Sequence, residues 1–151
     1  MSTFLVRRAR IRDAPRVETL LHGWLSWDPQ SGRIDAIKRA IRNKELLVVE
    51  THSYVVGFIH YIIHEDVIDG APNAFITAFY VQKGFRNRGM GGSLLHHAVI
   101  ESASRGATFI ETSTLHSSAK KFYERRGFKQ TFGEIGEAFL ELDVAGYLES
   151  Q

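Results

Sequence analysis

The feature of the sequence that most constrains the fold is a change of hydrophobic period at Gly89. Before it, residues 75–81 form a run of β-branched and aromatic residues that predicts a strand. After it, apolar residues share one helical face as far as Arg105 and Gly106, which are typical of a helix end. These apolar residues are Met90, Leu94, Leu95, Ala98, Val99 and Ala103. Residues 109–113 predict a second strand, and because a strand–helix–strand crossover is normally parallel, we expect a parallel pair.

Patterns on both sides of this pair predict a larger sheet. Strands are predicted over residues 4–10, 45–50, 55–64, 128–132 and 138–142, and helices over residues 13–26, 34–43 and 117–126, with a turn at 27–32 and a loop at 66–73. With 44% hydrophobic and 24% charged residues, the 151-residue chain is typical of one globular domain over residues 1–151. We therefore expect an α/β fold with a mixed, mostly antiparallel seven-stranded sheet, a central parallel pair and flanking helices.

Composition and charge exclude several classes of function. The longest apolar runs are far shorter than the roughly 20 residues of a membrane span, and the N-terminus does not resemble a secretory signal. The chain has no cysteine, so we expect a cytoplasmic protein without disulfides or a membrane partner. Residues 1–44 and 83–129 are net basic, whereas 45–82 and 130–151 contain acids and no Lys or Arg. This charge pattern suits a protein that binds an anionic ligand with one part and a cationic partner with another, or one whose charges are simply solvated. The sequence has no motif expected of a nucleic-acid-binding protein.

The segment between the strand at 75–81 and the next helix is rich in glycine and arginine. Gly89 and Gly91 expose backbone N–H groups near a helix N-terminus, and Arg86 and Arg88 add positive charge. The segment therefore predicts a site for a pyrophosphate-like anion.

Two nucleotide-binding motifs fail at this segment. A Walker A loop needs Lys and Ser or Thr where Met90 and Gly91 stand. A dinucleotide fingerprint needs a third glycine where Leu94 stands. The anion is therefore not held in either of these two ways.

Two separate motifs resemble one known family. Residues 86–91, Arg-Asn-Arg-Gly-Met-Gly, resemble the Arg/Gln-x-x-Gly-x-Gly/Ala pyrophosphate loop of the GNAT superfamily of acyl-CoA-dependent N-acetyltransferases. Residues 119–128, Ala-Lys-Lys-Phe-Tyr-Glu-Arg-Arg-Gly-Phe, are similar to its Ala-x-x-φ-Tyr-Glu-x-x-Gly-Phe segment, where φ is apolar. The predicted element order also fits, so the resemblance covers nearly the whole chain and implies a GNAT-like acyl-CoA N-acyltransferase fold.

The resemblance implies acetyl-CoA as acyl donor, CoA as product and no metal. The residues that it places against the cofactor are Phe79, Tyr80, Val81, Arg86, Asn87, Arg88, Gly89, Met90, Gly91, Gly92, Ser93, His116, Phe122, Tyr123 and Arg126. A backbone N–H near Val81 would polarise the thioester. Tyr123 stands where the family has its general acid for the departing thiolate, although a core aromatic is the alternative reading. His116 replaces an asparagine that is frequent in relatives.

The general base is not given by either motif. A primary amine is almost fully protonated at pH 7, so its attack is penalised by roughly 4 kcal/mol unless a group takes the proton. Some relatives have a carboxylate on the strand at 75–81, and this chain has none. His60 and Glu65 are the candidates, with His64 and Asp66 beside them, acting through water; a structural or surface role is the alternative. Without cysteine, we expect direct transfer in a ternary complex.

The acceptor is expected to be a small cationic amine. Residues 56–64 and 122–128 resemble the spermidine/spermine-type diamine acetyltransferases most. Acids near these segments would attract a polyamine, an aminoglycoside or a similar cation; they are Glu65, Asp66, Asp69, Glu134 and Glu137. The alternatives are acetylation of protein N-termini or lysines, a non-catalytic acyl-CoA-binding module, and an anion-binding module that recognises nucleic acid. A homodimer is expected from the superfamily.

Overall fold

The computed structural model describes residues 3–25, 32–134 and 137–151. In these ranges the strands are β1 (Phe4–Arg8), β2 (Leu46–Thr51), β3 (Tyr54–Asp66), β4 (Ala71–Val81), β5 (Phe109–Thr114), β6 (Lys129–Glu134) and β7 (Glu137–Asp143). The helices are α1 (Ala14–Trp24), which follows a 3-10 turn at Ile11–Asp13, α2 (Ile34–Arg42), α3 (Met90–Ser104), α4 (Ser117–Glu124) and α5 (Val144–Glu149). No helix in the described ranges is long and apolar enough to cross a membrane.

The seven strands form one mixed sheet in the order β1-β2-β3-β4-β5-β7-β6. β1 with β2, β2 with β3, β5 with β7 and β6 with β7 pair antiparallel, and β4 with β5 pairs parallel. The predicted fold class, including the parallel pair, is confirmed. The parallel pairing follows from α3, which carries the chain from the end of β4 to the start of β5.

The chain divides into two compact units. Unit 1 comprises Met1–Tyr61 with Ala78–Ala98, and unit 2 comprises Ile62–Thr77 with Val99–Gln151. In unit 1 the buried faces of α1 and α2 pack with β2 and β3; the residues of this core are Ala9, Ala14, Val17, Leu20, Ile37, Ala40, Ile41, Leu46, Val48, Val55 and Phe58. The α2 members of this core recur at the three- and four-residue spacing of an amphipathic helix.

A bidentate ion pair fixes the start of α1 in unit 1. The Arg7 guanidinium donates to both carboxylate oxygens of Asp13, at 2.8 and 3.1 Å, and both side chains are largely buried. The same carboxylate accepts from the backbone N–H of Arg10 at 2.7 Å. Burial would raise the pKa of Asp13, but these hydrogen bonds hold it below the usual value. β1 ends at Arg8 instead of residue 10, because Arg10 is the N-cap of the 3-10 turn.

In unit 2, the buried side chain of Asn73 closes the turn between β3 and β4. Its Nδ2 donates to Asp66 Oδ2 and to Asp69 Oδ2, both at 3.0 Å. Its Oδ1 accepts from Thr108 Oγ1 at 3.1 Å and from the Phe109 N–H at 3.3 Å. One amide thus joins the turn to the start of β5.

The predicted loop at 66–73 is wrong over half of its length. β3 continues to Asp66 and β4 begins at Ala71, so only residues 67–70 form the turn. Asp66 stabilises that turn, because its side chain accepts from the Ile68 N–H and its carbonyl from the Gly70 N–H, both at 2.8 Å. Pro72 is tolerated in β4, where its carbonyl accepts from Thr108 N at 3.1 Å.

The predictions also differ from the structure at several helix ends. α1 ends at Trp24 instead of residue 26, because Leu25 is extended and caps the helix; residue 26 and the turn at 27–31 lie outside the described residues. α4 ends at Glu124 instead of residue 126. α5 was not predicted, although Asp143 carries the signal of an N-cap and accepts from the Gly146 N–H at 3.2 Å.

Candidate active site

The loop between β4 and α3 has the backbone geometry of an anion site. Gly84, Asn87 and Gly89 adopt left-handed φ values of 99°, 62° and 85°, which turn the chain from the strand into the helix. The Gly89 carbonyl accepts the first helical hydrogen bond, from Ser93 N at 3.0 Å. The N–H groups of residues 90–92 therefore lie in the first turn, where helix geometry provides no intrahelical acceptor and the helix dipole is positive.

Arg86 folds back onto the end of β4. Its Nε donates to the Val81 carbonyl at 2.7 Å, and its guanidinium carbon lies 5.4 Å from the centre of the Tyr80 ring. The structure thus brings together three of the predicted cofactor residues in unit 1.

Arg88 is exposed beside Phe85, whose ring centre lies 5.7 Å from its guanidinium carbon. It also lines a cavity of about 210 Å³ together with residues from β1, the β2–β3 turn and α3. The lining residues are Thr3, Phe4, Thr51, His52, Phe85, Arg88 and Met90. Met90, predicted to contact the cofactor, is buried at the start of α3. Of the two loop arginines, Arg86 is the one whose side chain is hydrogen-bonded to β4 in the described part of the chain.

The carboxyl end of β4 is held by close packing in unit 1. A Cβ on Gly57 would lie 2.9 Å from the Tyr80 carbonyl oxygen, so only glycine lets β3 approach at this point. The Tyr80 ring stacks on Trp24 with centres 5.4 Å apart. Gln82 N donates to the Val56 carbonyl at 2.8 Å. The backbone around Tyr80 and Val81, which was predicted to contact the acyl arm, is therefore in a fixed position.

Tyr123, the predicted general acid, lies on α4 in unit 2 and is 6% exposed. Burial raises the pKa of its phenol to about 12, although a hydrogen bond with Thr112 opposes this increase. The phenol therefore keeps its proton at neutral pH. Transfer of that proton to a thiolate of pKa near 8.5 is uphill by roughly 5 kcal/mol, so any group that stabilises the phenolate assists it.

Thr112 is a residue that the sequence analysis missed. It lies on the same face of β5 as buried Ile110 and is 3% exposed. A buried threonine on a strand was the only available signal, and the sequence does not give the packing of α4 against β5 that brings Tyr123 to it.

Phe122 on α4 and Arg126, two residues after its end, pack together. The Arg126 guanidinium lies 3.8 Å from the centre of the Phe122 ring and donates to the Phe122 carbonyl at 3.0 Å. Burial lowers the pKa of Arg126. His116 is exposed at the start of α4, where its carbonyl accepts from Lys120 N at 3.0 Å.

The two predicted base candidates differ in environment. His60 is half-buried on β3, in register with Leu46 of β2. Burial lowers its pKa, although the charge of Glu45 opposes this, so the imidazole is neutral at pH 7 and able to accept a proton. Glu65 is exposed, and because side chains alternate along a strand, it points to the opposite face of β3 from His64. The catalytic roles of His60 and Glu65 stay predictions.

The sequence profile of the acetyltransferase (GNAT) domain family matches residues 42–130, which include both the glycine-arginine loop and Tyr123. The chain belongs to the GNAT acetyltransferase family. The prediction of an N-acyltransferase is thereby confirmed. A search of curated protein sequences finds no significant match to this GNAT protein.

Solved structures with the same fold are numerous. An N-acetyltransferase from Staphylococcus aureus Mu50 aligns with a TM-score of 0.78 at 20% identity, over 95% of this chain and 99% of that protein. Arabidopsis thaliana Naa50, in complex with the bisubstrate analogue CoA-Ac-MVNAL, aligns with a TM-score of 0.73 at 18% identity, over 93% and 97%. PaiA N-acetyltransferase from Thermoplasma acidophilum, in complex with coenzyme A, aligns with a TM-score of 0.74 at 17% identity, over 95% and 99%. At these identities the likeness shows a shared fold.

Proposed function

We propose that this GNAT protein transfers an acetyl group from acetyl-CoA directly to the primary amine of a small cationic molecule, such as a polyamine or an aminoglycoside. Family membership supports the reaction class. The observation that carries the choice of acceptor is the concentration of carboxylates in unit 2, described below.

The residues of the loop fit the diphosphate of acetyl-CoA. The left-handed Gly89 directs the chain into α3, so that first-turn amides and the Arg88 guanidinium are available to an anion. Arg86, fixed to Val81, adds a second positive charge. When bound, acetyl-CoA supplies an activated thioester. The residues of this chain then hold the donor, accept a proton from the amine and return one to the sulfur.

Two side chains suit these proton transfers. Tyr123 carries its proton at neutral pH and acts as general acid for the leaving thiolate. His60 is neutral at the same pH and accepts the proton of the amine through water. The absence of cysteine favours direct attack over an acyl-enzyme.

The acidic residues of unit 2 favour a cationic acceptor. Burial raises the pKa of Glu141, and so do the negative charges of Glu111, Asp69 and Asp143. A carboxylate whose acidity is reduced by three neighbouring acids lies in a negative local potential, and such a potential raises the local concentration of cations. Glu137 lies on the same strand as Glu141, and the predicted Glu134 side chain lies outside the described residues.

A thiol-release assay with acetyl-CoA tests the proposal. The acceptors are spermidine, putrescine, kanamycin, lysine, and peptides with free or blocked N-termini. We expect the highest kcat/KM with a di- or polycation, and a rise of KM for that amine, but not for a neutral amine, in Glu141→Gln. Release with peptides alone would contradict the proposed acceptor, and no release with any amine would contradict the enzyme activity.

Protein N-terminal acetylation is the second candidate. It is favoured by the likeness of nearly the whole chain to Naa50, a protein solved with a peptide-containing bisubstrate analogue. Peptides with free N-termini in the same assay would then exceed the polyamines in kcat/KM.

A further inference from the structure

Thr112 lies where the parallel pairing of β4 with β5 stops. Among the described residues, the ladder ends with the pair Phe75 and Glu111. At the next position in the register, a side-chain hydrogen bond joins the two strands: Thr112 Oγ1 donates to the Ile76 carbonyl at 3.3 Å. Its hydroxyl therefore occupies the point where the two strands cease to be joined by backbone.

The same hydroxyl is hydrogen-bonded to the phenol of Tyr123. Both side chains are buried, with 3% of Thr112 and 6% of Tyr123 exposed, so water does not compete freely for this bond. A threonine hydroxyl has one hydrogen to donate and two lone pairs to accept. While Tyr123 is protonated, it donates to Thr112, and Thr112 donates to Ile76.

Loss of the phenol proton reverses the direction of one bond. A phenolate only accepts hydrogen bonds, so the hydroxyl of Thr112 must turn to donate to it. The bond given up, to Ile76 at 3.3 Å, is long and weak, whereas the bond gained is to a charged oxygen and is correspondingly strong. The hydroxyl of Thr112 therefore stabilises the phenolate form of Tyr123 more than the protonated phenol.

We propose that Thr112 is a positioning residue for proton donation: its hydroxyl orients the Tyr123 phenol and stabilises the phenolate left after the thiolate is protonated. This inference rests on the proposed function, in which Tyr123 is the general acid. The proton moves from the phenol oxygen to the CoA sulfur, and Thr112 keeps its own proton throughout.

Thr112→Val and Thr112→Ser separate the hydroxyl from the shape of the side chain. Valine keeps the branched shape and loses the hydroxyl, whereas serine keeps the hydroxyl. In thiol release from acetyl-CoA, with whichever of spermidine, kanamycin or a free N-terminal peptide serves as acceptor, we expect Thr112→Val to lower kcat about 10- to 100-fold. Its KM for acetyl-CoA should stay unchanged, and Thr112→Ser should restore most of the rate. Equal rates for the two variants would overturn the proposal.

A double-mutant cycle with Tyr123→Phe excludes a purely structural effect. If Thr112 acts through the phenol, Thr112→Val causes no further loss of kcat once Tyr123 is Phe. The same fold-loss in both backgrounds would overturn the positioning role and leave Tyr123 as the acid. A wild-type rate in Tyr123→Phe alone would instead contradict the general acid of the proposed function.

A second readout does not depend on turnover. 3,5-Difluorotyrosine in place of Tyr123 ionises at lower pH than tyrosine, and its absorbance reports the titration in the absence of acetyl-CoA. We expect its titration midpoint to be higher in Thr112→Val than in Thr112→Ser by about one pH unit. Coincident midpoints would overturn the proposal. Should Thr112→Val not fold, Thr112→Ala lacks the hydroxyl without adding apolar bulk and allows the same comparison.

Discussion

Arg86 Nε donates to the Val81 carbonyl at 2.7 Å, so one side chain ties the glycine-arginine loop to the last residue of β4. The two arginines of the loop therefore differ in role. Arg86 helps to shape the loop, and its replacement would change backbone as well as charge. Arg88 is exposed and is the better probe of anion binding.

We expect Arg88→Glu to weaken CoA binding about 100-fold, because a positive charge at the proposed diphosphate site becomes negative. Isothermal titration calorimetry with CoA measures the dissociation constant. Arg39→Glu makes the same change of charge at an exposed position of α2 and should leave the constant within about twofold. Equal changes of the dissociation constant in the two variants would contradict the proposal that the loop binds the diphosphate.

Tyr123→Phe should lower kcat by about 100-fold or more, because the proposed general acid is lost while the aromatic packing remains. The KM for acetyl-CoA should stay within twofold. Tyr54→Phe, at a position that is 69% exposed, is the matched control and should behave as wild type. Steady-state kinetics of thiol release distinguishes the two, and an unchanged kcat in Tyr123→Phe would remove the acid role.

Gly57→Ala should destabilise the protein by about 2 kcal/mol, because its Cβ would meet the Tyr80 carbonyl at 2.9 Å and Val49 Cγ1 at 3.0 Å. Gly23→Ala adds the same methyl group to α1, where nothing lies within 4 Å of it, and should be neutral or stabilising. Urea denaturation of both variants gives the two free energies of unfolding. A stable Gly57→Ala would show that β4 has room to move at Tyr80.

Asp13→Asn should cost about 3 kcal/mol of stability, because the buried Arg7 guanidinium loses its bidentate partner. Glu124→Gln breaks a partly exposed ion pair with Lys120 on α4 and should cost less than about 0.5 kcal/mol. Thermal denaturation at neutral pH compares them. Similar losses would mean that burial adds little to the Arg7–Asp13 pair.

His60 should make the protein sensitive to mild acid. Its pKa is lowered by burial in the folded state, so the unfolded chain takes up the proton first. Stability is therefore complete above about pH 6.5 and falls as the pH drops towards the folded pKa, by roughly 1.4 kcal/mol for each unit of lowering. His60→Gln should flatten this decline in urea denaturation between pH 7.5 and 5.5, whereas His22→Gln, at an exposed position, should not. A decline that persists in His60→Gln would assign it to other groups.

The sequence predicts those parts of the fold that depend on local period. The helical face after Gly89 and the β-rich runs on each side of it gave the parallel pair, and the glycines and arginines gave the loop. The limits of β4 were missed because Pro72 and Asp69-Gly70 are turn signals, and local rules do not include the Asn73 hydrogen bonds that extend the strands. Contacts such as Thr112 with Tyr123 join residues far apart in sequence, and one sequence carries no local pattern for them.

Asn73 uses its whole hydrogen-bonding capacity at the closed end of β3 and β4. Its amide hydrogens serve two aspartates, and its oxygen serves two donors at the start of β5. An aspartate here has no hydrogens to give, and a leucine offers neither donors nor acceptors. We therefore expect substitutions of Asn73 to loosen the 67–70 turn from the start of β5.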